Sequence, residues 1–552
     1  MELLVLVALL ALSYPQPAAS QFVDCEPEGS CSGMAPCCMV RLGPTEQSRE
    51  AYDAWRPAFE AWRMRVREAL EDAAPRGFEA YDEPAVAWSR SDWVQAKTML
   101  HDRYLFDRDT NQWTVQRYLD DLTERYGGVD SVVLWQYYPN GGVDDRNQFD
   151  MIASLPGGIE AVRTDLVGAF EAAGVKVFWA VFPWDGGTRP SARPMYEELT
   201  ELIIESGAHG LNGDTLNGVN VSWWDESMSL GAPLVLEPEW MKTNEGSQGQ
   251  GFFNLAHNVA SWGQTWGNDG MTGEDLPFSP QISAYKALEP RHTVHITDRW
   301  AMNRTSNLQT AFFNGIGYLA WESVWCNYNQ ITERSGEELR RIRTIYKGIG
   351  EGLLNSYSTW NPHVPVSTVA GVFASEFTSG SARNWTLWTV VNRAGDAVGG
   401  DPQAPALELP CQQDSRFFDI WTGVEIVDFV CNEESMTPLP TVLLEAGGYA
   451  CVLRSDDGSA PPADFLDEMA ALASRPLSSF DPTWRFLRQN PIVPSLHLGC
   501  PAGGCPGPMQ MVLIPFSFGW DFRCSSNQIE PFGDQLATAV DVQFAWEPHP
   551  MR

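Results

Sequence analysis

Hydrophobic residues recur along this chain with two periods. Over 46–74, Tyr52, Trp55, Phe59, Trp62 and Val66 stand three or four positions apart, the spacing of one helix face. Pro57 falls inside that pattern and predicts a kink or two shorter helices; Pro75 and Gly77 end it. From 78 to 355, short apolar runs alternate with helical patterns. The runs 131–136 and 175–182 predict strands, and 159–173, 194–206 and 340–348 predict helices. Such alternation predicts a parallel α/β arrangement, and roughly 280 residues suit a TIM-type (β/α)8 barrel with insertions. The pattern does not place all eight strands. Residues 245–275, rich in Gly, Asn and Gln, read as an active-site loop or irregular insertion.

After 364 the runs shorten. Those at 386–392, 417–420, 424–429 and 441–453, set between turn residues, predict an antiparallel β-sandwich. The expected organisation is a signal peptide over 1–20, a Cys-rich segment and helix over 21–77, the barrel over 78–355 and the sandwich over 356–455. A linker with a short helix at 465–473 then fills 456–508, and a terminal segment occupies 509–552.

The barrel region has one further regularity. Apolar runs end in a carboxylate at Asp185, Asp214, Glu237 with Glu239, Asp298 and Glu322, mostly beside tryptophan. A buried strand that stops in an acid needs a partner or a wet cleft for the charge. Strand ends of a (β/α) barrel share one cleft, and acids flanked by aromatic platforms are what glycosidic-bond chemistry uses. Asp214, between Asn212-Gly213 and Thr215, suits a nucleophile or base. Glu322, with Trp321 and Trp325 about it, suits a general acid, because an apolar flank raises a carboxyl pKa. The competing reading pairs either acid with a barrel arginine such as Arg299. Asp185, Trp184, Glu237, Asp298, Arg299, Trp321 and Trp325 are the expected substrate-binding residues; Pro238 is expected to end the strand between Glu237 and Glu239. Asp82, Glu83 and the segment 144–147 read as solvated loop, with hydroxyl binding the sharper alternative.

Composition narrows the partners. The net charge of −34 repels phosphate and anionic lipid, which argues against nucleic-acid and membrane partners. The 23 Trp provide stacking faces for sugar rings, with core packing the plainer role for half or more of them. His292 and His295, three apart, face opposite sides of a strand, and no metal constellation, phosphate loop or Gly-x-Ser-x-Gly elbow is present, so no cofactor is expected. Residues 3–12 with Ala18-Ala19-Ser20 read as a secretory signal, although no Lys or Arg precedes the apolar run. No later run is long enough to predict a membrane span. Sequons at Asn220, Asn303 and Asn384 are glycosylation candidates, and most of the 11 Cys are expected in disulfides with at least one left over.

Barrel, strand-end acids and following β region together resemble the retaining α-glycosidases of the α-galactosidase and α-fucosidase kind, over about 370 residues. That resemblance implies a nucleophilic Asp at the end of the fourth strand, and Gly213-Asp214-Thr215 is similar to that position; Glu322 does not carry over by motif. The final segment, with Met511-Val512-Leu513-Ile514-Pro515 and the run 540–552, resembles the opening of a formylglycine-generating, sulfatase-modifying-factor domain. Phe516-Ser517 stands where that family has Gly-Gly, and its catalytic cysteines would lie beyond residue 552, as in a truncated chain. The expected function is a secreted glycoside hydrolase acting on an oligo- or polysaccharide through Asp214 and Glu322. A non-catalytic carbohydrate-binding protein and a formylglycine-generating protein are the alternatives; sugar, linkage and oligomeric state stay open.

Overall fold

A computed structural model describes residues 43–483 apart from 138–145, 186–192, 240–251, 263–277, 298–302, 323–330, 432–435 and a few shorter stretches, together with the backbone of 510–513 and 522–525. The N-terminal helix α1 (Arg49–Ala73) starts at Ser48, whose hydroxyl accepts the Ala51 amide at 3.1 Å. Tyr52, Trp55, Phe59, Trp62, Val66 and Leu70 are all buried. The helix is continuous through Pro57, contrary to the expected kink, because the apolar stripe on both sides of the proline is held against one surface of the next domain. Arg67 secures that contact with bonds to the Leu288 carbonyl at 2.9 Å and Glu289 at 2.8 Å.

Eight strands then form a parallel barrel: β1 (Val94–Met99), β2 (Ser131–Trp135), β3 (Lys176–Val181), β4 (Gly210–Gly213), β5 (Val235–Glu237), β6 (Ala260–Ser261), β7 (Thr293–Thr297) and β8 (Gly317–Trp321). Their order is β5-β4-β3-β2-β1-β8-β7-β6, every pair parallel. The Trp262 amide donates to the Pro238 carbonyl at 3.2 Å and joins the two edge strands. Helices α2 (Val115–Tyr126), α3 (158–172, of π geometry over Val162–Val167), α4 (Met195–Glu205) and α5 (Val221–Ser229) follow β1 to β4. Among the described residues, the turn Phe252–Ala256 follows β5; α6 (Ala284–Leu288), α7 (Thr305–Asn314) and α8 (Glu333–Ile345) follow β6 to β8. The alternation expected over 78–355 is thus a (β/α)8 barrel. Residues 245–275, expected as loop, contain the sixth strand, and α8 begins well before 340, at its Thr332 cap.

The second domain is a six-stranded antiparallel sheet. Its strands are β9 (Thr359–Pro362), β10 (Val372–Thr378), β11 (Trp385–Asn392), β12 (Arg416–Asp419), β13 (Val424–Ile426) and β14 (Tyr449–Ser455), in the order β9-β10-β11-β14-β12-β13. Successive residues of β11 serve two cores, as period 2 requires. Trp385, Leu387 and Val391 join the barrel core; Trp388 and Val390 pack with Leu407, Leu409, Leu439, Val442 and Leu444. Two short ladders, Val398–Gly399 with Leu443–Leu444 and Glu408–Leu409 with Thr437–Pro438, cover that second core. The expected sandwich therefore has one full layer and one fragmentary layer. Cys411 and Cys431 form a disulfide here, while Cys451 is a buried free thiol.

Part of the expected linker is packed structure. Helix α9 (Ala463–Ala473) buries Phe465 and Met469, and Arg341 of α8 donates to the Leu472 and Arg475 carbonyls at 2.8 and 2.6 Å. In the terminal segment, Gln510–Leu513 pairs antiparallel with Phe522–Ser525. The signal peptide, the four N-terminal cysteines, Cys326, Cys500, Cys505 and the rest of the sulfatase-modifying-like segment lie outside the described residues.

Candidate active site

The C-terminal end of β4 is built on glycine. A Cβ at Gly210 would meet the Phe178 ring at 2.5 Å, and one at Gly213 would meet the Leu216 side chain at 2.5 Å. The close packing places Asp214 directly after the strand, nearly buried, with its amide donating to the Val181 carbonyl at 2.9 Å. Thr215 then takes a left-handed conformation, φ 59°, which a β-branched residue adopts only under strain. Its amide donates to Glu239 Oε2 at 2.7 Å. Glu239 follows β5 by two residues and is buried, so the ends of β4 and β5 bring two carboxylate residues together.

The end of β3 adds a third. Phe182 leads into the turn Pro183–Asp185, where buried Asp185 accepts the Gln148 amide at 2.7 Å and a hydrogen bond from Tyr137. Burial, with Asp185 beside it, pushes the Tyr137 phenol up to about 12, so it stays a donor. Trp184, 40 % exposed, lies with its ring centroid 5.3 Å from both Tyr137 and Phe182. Asp185 anchors the turn, and Trp184 offers an indole face to solvent.

Below this mouth the barrel interior is polar. Glu237 accepts from Asn212 Nδ2 at 2.8 Å and Gln95 Nε2 at 3.1 Å, and His295 Nδ1 lies 2.8 Å from its other oxygen. His295 Nε2 faces the Asp92 carbonyl at 2.9 Å, which can only accept, so both ring nitrogens donate. Burial opposes a charge on His295, yet Asp92 and Glu237 outweigh it and raise its pKa to about 9; burial raises Asp92 to about 7. Lys97 of β1, fully buried, donates to Asn212 Oδ1 at 3.0 Å. Its ammonium lies 4.1, 3.5 and 5.0 Å from the ring centroids of Trp135, Trp262 and Trp321. Among the described residues no group of three or more His, Cys, Asp or Glu is arranged to hold a metal.

The carboxylates expected to share the cleft therefore divide. Asp185, Asp214 and Glu239 stand at neighbouring strand ends. Glu237 is instead a core residue, bonded to Gln95, Asn212 and His295 inside the barrel, which does not fit the substrate contact expected of it. Glu322 departs further. Trp321 points inward, its Nε1 donating to Thr297 Oγ1 at 2.5 Å, so the following residue turns outward. There Arg125 of α2 meets both Glu322 oxygens at 3.2 and 2.5 Å and Tyr126 donates at 2.9 Å. Three converging donors suit a fixed structural anion rather than a proton donor. Asp298, Arg299 and Trp325 lie outside the described residues. Sequence reasoning missed Lys97, Gln95, Trp135, Trp262 and the role of His295, because β1 reads Val-Gln-Ala-Lys-Thr-Met and β6 is two residues long. Lys and Gln in a six-residue strand buried throughout were the available signal.

No protein-family model and no curated protein matches this chain. Among solved structures it is similar to a GH27 β-L-arabinopyranosidase from Geobacillus stearothermophilus, at 9% identity and TM-score 0.42 over 68% of this chain and 99% of that one. It is also similar to α-galactosidase I from Mortierella vinacea, at 12% identity and TM-score 0.40 over 68% and 99%. An α-L-fucosidase from Paenibacillus thiaminolyticus stands at 10% identity and TM-score 0.38 over 68% and 99%. Likeness this distant carries no argument about function, which rests on the residues themselves.

Proposed function

We propose that the protein is a glycoside hydrolase acting on an oligo- or polysaccharide at the C-terminal mouth of the barrel, with Asp214 as nucleophile or base. The observation that carries this reading is the strained Asp214-Thr215 turn, tied to Glu239 and flanked by Asp185 and the exposed Trp184 indole. Asp214 would attack the anomeric carbon, or activate a water that does. Glu239 takes the acid role first expected of Glu322 and would protonate the leaving oxygen. Carboxyl groups ~5 Å apart give retention, and ~6.5–9.5 Å gives inversion. A secreted location belongs to the same reading, supported by the Cys411–Cys431 disulfide.

A second reading, a carbohydrate-binding barrel without catalysis, is favoured by one observation: Glu322 is spent on Arg125. Hydrolysis of aryl-glycosides and plant or algal polysaccharides by the purified full chain separates the two. Turnover abolished in both folded Asp214→Asn and Glu239→Gln supports the hydrolase; sugar binding without turnover supports the binding protein.

A further inference from the structure

An ammonium fully out of water is expensive, and three indole walls could be filled by Met or Leu without that cost. Lys97 nevertheless sits in this box, facing the ring of Trp262 at 3.5 Å and bonded to Asn212 at 3.0 Å. The chemistry of its neighbours fixes the arrangement. Lys97 can only donate, so the Asn212 amide has one orientation, oxygen to Lys97 and nitrogen to Glu237. Trp262 also donates through Nε1 to the Gly213 carbonyl at 3.1 Å. Lys97 and Trp262 thus grip both residues that precede Asp214. Asp214 follows the strand two residues after Asn212. The other charged groups about this strand end are Glu237 on Asn212, His295 on Glu237, Glu239 on the Thr215 amide and Asp185 after β3, and Lys97 is the cation bonded directly to β4. A charge held in the dry barrel interior is screened less than one in water.

We propose that Lys97 is a positioning residue of the mouth: its tryptophan-boxed ammonium, through Asn212, fixes the end of β4 and keeps the Asp214 carboxyl ionised. The inference rests on Asp214 being the reacting carboxylate, and its test does not require turnover. The full-length protein is labelled with carboxyl-13C aspartate, the Asp214 signal is assigned by its loss in Asp214→Asn, and its titration is followed in wild type, Lys97→Gln, Lys97→Met and Lys97→Arg. Without the charge, the Asp214 titration is expected to move up by about one pH unit. Lys97→Arg, which keeps the charge, is expected to stay near wild type. Lys97→Gln retains a donor for Asn212 and serves where Lys97→Met does not fold. Where a glycoside is turned over, the acidic limb of kcat/KM moves up by the same amount. An unmoved Asp214 titration in folded Lys97→Gln overturns the proposal. A wild-type protein that turns over no glycoside defeats the hydrolase reading, while the titration still decides the role of Lys97.

Discussion

Arg125 of α2 holds Glu322, the residue after β8, with two guanidinium nitrogens, and shares its Nη2 with Asp121 at 2.8 Å. Barrel wall and helix layer are joined here by a buried ion pair. Removing one partner of such a pair strands a charge, whereas replacing both with apolar residues does not. Arg125→Met is expected to destabilise by about 3–5 kcal/mol, and Arg125→Met with Glu322→Leu to recover most of that. Urea unfolding of the four proteins of this double-mutant cycle measures the coupling; additive losses would show that the two side chains do not depend on each other.

Asp214→Asn and Glu239→Gln are expected to lower glycoside turnover by about 10²–10⁴-fold while the protein stays folded. Steady-state kinetics with circular dichroism checks this. Glu322→Gln is expected to lose stability first, through its three lost or weakened bonds, and to leave the pH limbs of any activity in place.

Trp184→Ala removes an exposed stacking face without opening the core. The expected effect is a rise in KM of up to about tenfold with kcat little changed, because stacking on an indole holds substrate and transition state alike. An equal fall in kcat instead would place the ring against the reacting sugar.

His292 is buried between the Tyr81 hydroxyl at 2.8 Å and the Ser261 hydroxyl at 2.9 Å, and burial lowers its pKa to about 3. Above pH 6.5 the imidazole is neutral in both folded and unfolded chains. As pH falls, the unfolded chain takes up the proton first, so stability is lost between about pH 6.5 and 3. Going from pH 7 to 5, this one group costs about 2 kcal/mol. His292→Gln is expected to flatten that part of the stability curve, measured by urea midpoints at the two pH values; parallel curves for variant and wild type would refute it.

The Cys411–Cys431 bridge closes a segment of 20 residues beside the second core. Its removal in Cys411→Ser/Cys431→Ser is expected to cost about 3 kcal/mol, mostly by freeing the unfolded chain. Thermal unfolding under oxidising and reducing conditions checks this: wild type should fall to the level of the double variant when reduced, and a wild type unmoved by reductant would contradict it.

Some of this protein was determined by sequence alone. Apolar residues at positions 52, 55, 59, 62 and 66 specify α1, because one buried stripe on a helix must recur at that spacing. The apolar runs around β2, β3 and β7, walled in on both sides, mark parallel strands, and the Asn212-Gly213-Asp214 stop marks β4. Tertiary structure decided the rest. A barrel interior can satisfy polar groups with one another, so Gln95 and Lys97 lie inside β1 without an apolar run to reveal it, and Glu237 finds His295 58 residues away. Which way a strand-end acid turns depends on the residue before it: Trp321 took the inward place, and Glu322 was left to Arg125, 197 residues distant in sequence. Side-chain alternation is local, but the partner waiting on each side is supplied only by the closed fold.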